Sequence, residues 1–193
     1  MKALILDALS VGAGPQAAER VAAIVEDVYR KKAWDVLRLP VAEMEISPCR
    51  GCFHCWVRTP GICVINDAGR QVTEAWIGSD VVLLLSPISF GGYSAGLKKA
   101  VDRVIPILSP FFMKIRGEVH HRARYKQYPP LIGIGVLHHR DDEKEKLYSR
   151  IISRHAINVH SPWHRSIVLA GDHECRAVEH LIGPIAERQK EAA

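Results

Sequence analysis

VVLLLSPISFGGYSAGLKKAVDR, residues 81–103, runs from the most apolar segment of the chain through a proline- and glycine-bearing turn into a helical stretch. Five consecutive apolar residues suit a strand covered on both faces, as in a parallel sheet. Pro87 stiffens the exit from that strand. Gly91 and Gly92 allow a flat ligand ring to lie against backbone that side chains would otherwise shield. Phe90 and Tyr93 are placed to pack beside such a ring, with Ser89 between them and Pro87. Ser94 caps a helix reaching to about Leu108, whose free N–H groups favour an anion or a polar ring edge. An ordinary strand-to-helix turn with a cap uses the same residues, so chemistry alone leaves both readings open.

Working outward, the pattern repeats. Residues 3–7 (ALILD) form an apolar run closed by small residues, and Pro15 opens a helix with Val21, Ile24, Val25 and Val28 on one stripe. Residues 35–39 (DVLRL) read as a second strand. Asn66 and Asp67 cap a helix to about Gly78. After a basic, irregular excursion at 111–130 come a fourth strand at 131–137 (LIGIGVL), a helix near 142–157, a fifth strand at 166–170 and an amphipathic helix at 174–188. Strands alternating with helices predict a three-layer α/β sandwich: a five-stranded parallel sheet in the order 2-1-3-4-5 with helices on both faces. The whole chain, 1–193, reads as one domain, with a cysteine segment at 46–65. In such a sheet, ligands sit beyond the carboxyl ends of the strands, where the turns after Asp7, Leu85 and Leu137 converge. His138 and His139 follow the fourth strand and are aimed at that crevice, though a hydrated surface pair explains them equally well.

The bulk properties set limits. With 48% hydrophobic and 24% charged residues the chain has an ordinary globular composition. No apolar run nears the roughly 20 residues of a membrane span, and the N-terminal run is too short for a signal peptide, so a cytoplasmic location is expected. The net charge of +5 is spread along the chain. It suits a solvated surface or anionic small ligands, and no dense basic stripe points to nucleic acid.

Four of the five cysteines fall within fifteen residues as Cys49-x2-Cys52-x2-Cys55-x7-Cys63. Short loops let several sulfurs converge on one polynuclear centre. Structural zinc more often uses two CxxC pairs farther apart. A cluster, zinc and no metal all stay open; without metal, Cys52 and Cys55 are small buried residues or a reactive pair. Cys175 stands alone and reads as packing.

Pro87-Ile88-Ser89-Phe90-Gly91, then Tyr93-Ser94-Ala95, Leu97-Lys98 and Asp102-Arg103, resembles the second flavin loop of the NADPH-dependent FMN reductase family. That family shows roughly Pro-x-Tyr-Phe/Trp-Gly, Ser-x-x-Leu-Lys and Asp-Arg there. Ser89 replaces the usual tyrosine. The segment CRGCFHCW (49–56) is similar to the iron–sulfur flavoprotein branch. The likeness runs in order through most of residues 1–137. It implies a flavodoxin-like fold, flavin mononucleotide (FMN) at the strand ends, a [4Fe–4S] cluster on the four cysteines, and homodimers or homotetramers with flavins near subunit interfaces. The segment from Gly117-Glu118 through His120-His121 to Arg124-Tyr125 is similar to one in some relatives; it suits a flavin cover, a nucleotide-phosphate contact or an oligomer contact.

The first loop departs from the family, which carries Ser-x-Arg…Asn-Thr there. Alignment puts Leu9, Val11 and Gln16 at the serine, arginine and threonine. Ser10, Gly12, Gly14 and Gln16 are left to cradle a phosphate, chiefly through backbone donors and the helix N-terminus. Losing charge-assisted bonds worth about 1.5–3 kcal/mol each predicts weaker FMN binding or a different ligand. The expected activity is an FMN-dependent oxidoreductase carrying electrons from NAD(P)H to a small acceptor, a quinone, a redox protein or an iron–sulfur centre. No general acid or base is named, because the flavin carries the redox chemistry. The alternatives are a scaffold that has lost its flavin and acts as an interaction module, and a zinc–thiolate protein.

Overall fold

The computed structural model describes residues 1–9 and 18–191. The phosphate-loop candidates Ser10, Gly12, Gly14 and Gln16, with Pro15, lie outside the described residues. Five parallel strands form the central sheet: β1 (Lys2–Asp7), β2 (Asp35–Leu39), β3 (Val81–Ser89), β7 (Leu131–Leu137) and β8 (His164–Ala170). Their spatial order is β2-β1-β3-β7-β8, the flavodoxin-like arrangement expected from the alternation of elements. Alternate residues of β3 serve two cores. Val81, Leu83 and Leu85 face helices α1 (Ala18–Lys31), α6 (Gly171–Arg176) and α7 (Val178–Glu191), where Cys175 is fully buried. Val82 and Leu84 face α3 (Ala68–Ile77), α4 (Ala95–Asp102) and α5 (Asp142–Asn158).

Four elements differ from the expectation, the first being the single helix expected at 174–188, which is two, α6 and α7, either side of Ala177. The segment after Leu85 continues as strand through Ser89 and folds back in the two-residue strand β4 (Gly92–Tyr93), antiparallel to β3. Helix α4 ends at Asp102 rather than near Leu108, and a single 3-10 turn at Ile105–Ile107 follows because Pro106 cannot continue an α-helix. The basic excursion is a two-stranded hairpin, β5 (Leu108–Ile115) and β6 (Glu118–Ala123), turned at Arg116 and Gly117, both with left-handed φ.

Glycines 133 and 135 let α5 settle on β7. A Cβ at Gly135 would lie 2.6 Å from Ile88 and 2.9 Å from Tyr148. No helix among the described residues is long and apolar enough to cross a membrane.

Candidate functional site: a strand-end rim and a cysteine cage

Parallel register places the ends of three neighbouring strands on one rim. Asp7 pairs with Leu85 and Pro87 with Val136, and the Ala8 N–H donates to Leu85 O at 2.9 Å. The turns after β1, β3 and β7 therefore leave from the same edge. Asp7 is 1% exposed and held by a bidentate Arg38, whose Nε and Nη2 donate to Oδ2 at 3.0 and 2.6 Å. Its other oxygen accepts the Leu9 N–H at 2.9 Å. A carboxylate that would repel a phosphate at this rim is thus neutralised by the neighbouring strand.

Between β3 and β4 the chain turns on Phe90 and Gly91, at φ +50° and +82°, the two-residue turn that matches strand twist. Gly91 is buried against the chain, since a Cβ there would lie 2.9 Å from Leu147. Phe90 is fully exposed. A non-glycine residue in this conformation is uncommon, and an aromatic one bared to solvent offers a flat face to a planar ligand. Ser89 is also exposed, whereas Pro87 is buried in the strand rather than open to a ligand. Gly92 packs toward Ile151 of α5. His138 is exposed where β7 ends, its carbonyl beside Gly171. Ser94 caps α4 by accepting the Leu97 N–H, while its own N–H donates to Ser86 Oγ at 2.9 Å.

The four cysteines come together beyond the other end of α4. Cys49, Cys52, Cys55 and Cys63 line a cavity of about 150 Å³, with Gly51, Phe53, Trp56 and Arg103 in its wall. The short helix α2 (His54–Val57) carries Cys55, and left-handed turns at Gly51 and Phe53 bend the chain around it. Burial, and then the nearness of Cys63, Cys49 and Cys52, pushes the Cys55 thiol up to about 11. Cysteine ligands bind metal as thiolates, so a metal centre here would have to supply the positive charge that lets these neighbouring sulfurs deprotonate together. The cavity is several times the ~30 Å³ of one water molecule. Among the described residues no group of three or more His, Cys, Asp or Glu side chains is arranged to hold a metal ion, so the case for a metal here rests on the four sulfurs in its wall. An all-sulfur donor set around a larger space fits an iron–sulfur cluster better than a lone zinc ion.

Asp67, the N-cap of α3, ties the cysteine segment to the end of α4. Its Oδ1 accepts from Gly69 N and Arg103 Nη2, at 2.9 and 2.8 Å, and its Oδ2 accepts from Ser47 N and Arg103 Nη1, both at 2.8 Å. Burial alone would raise its carboxyl, but Arg103 and the two backbone donors hold it well below the usual carboxylate range. The helix cap was legible from Asn66-Asp67; the second partner, 36 positions away, was not. Sequence reasoning likewise passed over Asp7 with Arg38. It also missed an aromatic row in which Trp56 stacks on Phe53 (5.3 Å) and meets His121 (4.5 Å), which in turn stacks on Phe112 (4.7 Å). The signal available was alternation: Arg38 lies opposite Ile5 in the β1–β2 register, two residues before the strand end at Asp7.

Residues 5–123 match the family model described as NADPH-dependent FMN reductase. An iron–sulfur flavoprotein of Methanocaldococcus jannaschii is 35% identical over 83 residues, 42% of each chain. An iron–sulfur flavoprotein of Methanosarcina thermophila is 26% identical over 90 residues, 47% of this chain and 46% of its own. The chain thus spans under half the length of the curated relatives it matches. Among solved structures, the FMN-dependent NADH-azoreductase of Bacillus anthracis in complex with FMN superposes with a TM-score of 0.67 at 9% identity, covering 97% of this chain and 98% of that one. The NAD(P)H:quinone oxidoreductase of Methanothermobacter marburgensis gives 0.64 at 13% identity, over 98% and 96%. At such identities these likenesses establish the fold.

Proposed function

Because the chain belongs to the NADPH-dependent FMN reductase family, we propose that it is an FMN-dependent oxidoreductase that moves electrons from NAD(P)H to a small acceptor, a quinone or a redox protein, with an iron–sulfur cluster on its own cysteines. The observation that carries this reading is the pairing of two sites by one short helix. Helix α4 has the Phe90–Gly91 turn just before its N-cap and the cysteine cage against its C-cap residue, Arg103. Eight residues at 1.5 Å each make that helix about 12 Å long.

When bound, FMN supplies hydride acceptance and one-electron release, and a [4Fe–4S] cluster supplies one-electron storage. The chain's own part is to position and shield. Phe90 and Ser89 offer the exposed wall for a flat ring, and His138 stands on the same rim. Ser10, Gly12, Gly14 and Gln16 are assigned to the phosphate. The Arg38–Asp7 pair removes a repulsive charge from that end of the sheet. Cys49, Cys52, Cys55 and Cys63 are the cluster ligands. A cytoplasmic setting, where thiols stay reduced, suits five free cysteines. The assembly is a homodimer or homotetramer, supported by the exposed apolar side chains of the β5–β6 hairpin.

Protein purified without oxygen is expected to show flavin absorption bands over a broad iron–sulfur shoulder, and to oxidise NADH or NADPH with a quinone present. Replacing Cys52 and Cys55 together by serine should remove the shoulder and the iron and leave the flavin bands. A colourless protein that neither takes up added FMN nor oxidises nicotinamide would overturn the proposal and leave a scaffold that binds no flavin. Stoichiometric zinc with no iron would reassign the cage.

A further inference from the structure

We infer that Arg103 is a positioning residue for the group held in the cysteine cage, its Nε–H set aside for the sulfur of Cys63. The inference rests on the reading that the four cysteines hold an iron–sulfur cluster, and it follows from counting donors. A guanidinium has five N–H groups. Nη1 donates to Ser47 O and Asp67 Oδ2, both at 2.8 Å. Nη2 donates to Ile65 O at 3.3 Å and Asp67 Oδ1 at 2.8 Å. That commits four. The fifth, on Nε, is buried and has no partner among the described residues.

The side chain is only 1% exposed, so bulk water does not serve that donor. A buried, charged donor without an acceptor is costly enough that native structures rarely keep one unless a function uses it. Arg103 lies in the wall of the cavity that the four cysteines line. Cys63 is the cysteine beside the guanidinium. The Cys63 side chain is within interaction range of that cation, and both line the same cavity. A purely structural role accounts for the fork on Asp67 and the two carbonyls. It does not account for an orphaned Nε–H at the wall of a cage of sulfurs.

Chemistry gives that donor a task. Reducing a thiolate-bound cluster adds one negative charge, and both a hydrogen bond to a ligating sulfur and a fixed cation nearby favour the reduced state. Arg103 also follows Asp102 at the end of α4, so the same residue fixes the cage relative to the Phe90–Gly91 turn.

The test uses holoprotein reconstituted anaerobically with iron and sulfide. Iron and sulfide content of the unaltered protein is measured first. In a potentiometric titration followed by electron paramagnetic resonance, Arg103→Lys keeps the charge and loses the Nε donor. It should disfavour the reduced cluster about tenfold, ~59 mV for a one-electron couple. Arg50→Lys, at an exposed position of the cysteine loop that also borders the cavity, keeps its charge and should leave the potential unchanged. Should Arg103→Lys fail to fold or to load, the unaltered protein decides the matter. With arginine labelled by 15N at Nε alone, pulsed resonance on the reduced cluster should show an arginine 15N coupling that persists in Arg50→Lys. An iron-loaded, folded Arg103→Lys protein with an unshifted potential, or a labelled protein without the coupling, overturns this inference and leaves the cluster reading standing. An unaltered protein that takes up no iron overturns both.

Discussion

His155 sits where a charge has no room. It is buried beneath the β3–β4 turn, with its Nδ1 2.9 Å from the Tyr93 hydroxyl and Trp76 packed at 5.7 Å. Burial pushes its imidazole down to about 4; Asp102 opposes this weakly and Lys98 adds to it. The folded protein therefore keeps His155 neutral at pH values where the unfolded chain takes up a proton. A depressed folded pKa contributes stability above the unfolded value near 6.5 that is lost as pH falls from there toward 4. Melting temperature should fall through that window with the slope of one bound proton. His155→Gln, which keeps a partner for Tyr93, should flatten the fall, as thermal unfolding between pH 7.5 and 4.5 would show. Nothing in DEKEKLYSRIISRHAIN marks this histidine as buried, because its surroundings are made by a strand 62 positions earlier. Asp67 was legible as a helix cap, being a short acceptor just before a periodic run. Its hold on Arg103 required knowing how α3 and α4 meet. Phe90 stood out in sequence as a ligand-facing aromatic, whereas the left-handed turn that bares it did not.

At the level of elements, β7 shows how glycine spacing encodes packing. In LIGIGVL the run of apolar residues announced a strand. The reason for its two glycines became visible only with Tyr148 and Ile152 laid across them. Gly135→Ala should cost about 1–3 kcal/mol through overpacking, because Tyr148 is fully buried and has no space to retreat. Denaturant unfolding of the variant, with an unchanged dependence on denaturant concentration, would check this. The β5–β6 hairpin was read as irregular because its charged and aromatic residues obey no clean alternation. Register explains that. One side is tied to the end of α5 by His120 on Asn158 at 2.9 Å and by Glu118 on Arg154, and the other side bears Phe112. Strand alternation assumes a sheet with one wet face, and this hairpin's second face mixes exposed Phe112 and Val119 with Lys114 and His121.

Over the whole molecule, strand order and the rim of converging turns followed from the alternation of apolar runs with helical stripes, since parallel neighbours admit few connections. The cysteine cage was legible as spacing, and its position at the far end of α4 was not. Phe53, Val57, Phe111, Phe112 and Val119 are all more than half exposed, and ring contacts link Phe53 to Phe112 through Trp56 and His121. A two-stranded hairpin has little stability alone, and apolar surface of this kind is expected to be covered by a second copy of the chain. Replacing Phe111 and Phe112 together by serine should shift the protein from oligomer to monomer in light scattering while leaving its circular dichroism intact.

The same aromatic row borders the mouth of the cage, where Cys49 and Cys52 are exposed on the single chain. In the proposed oligomer, a second copy seated on Phe53 and Phe112 would close that mouth to dissolved dioxygen. Tolerance of air would then belong to the assembled particle, and dilution to single chains would leave the sulfurs open to attack.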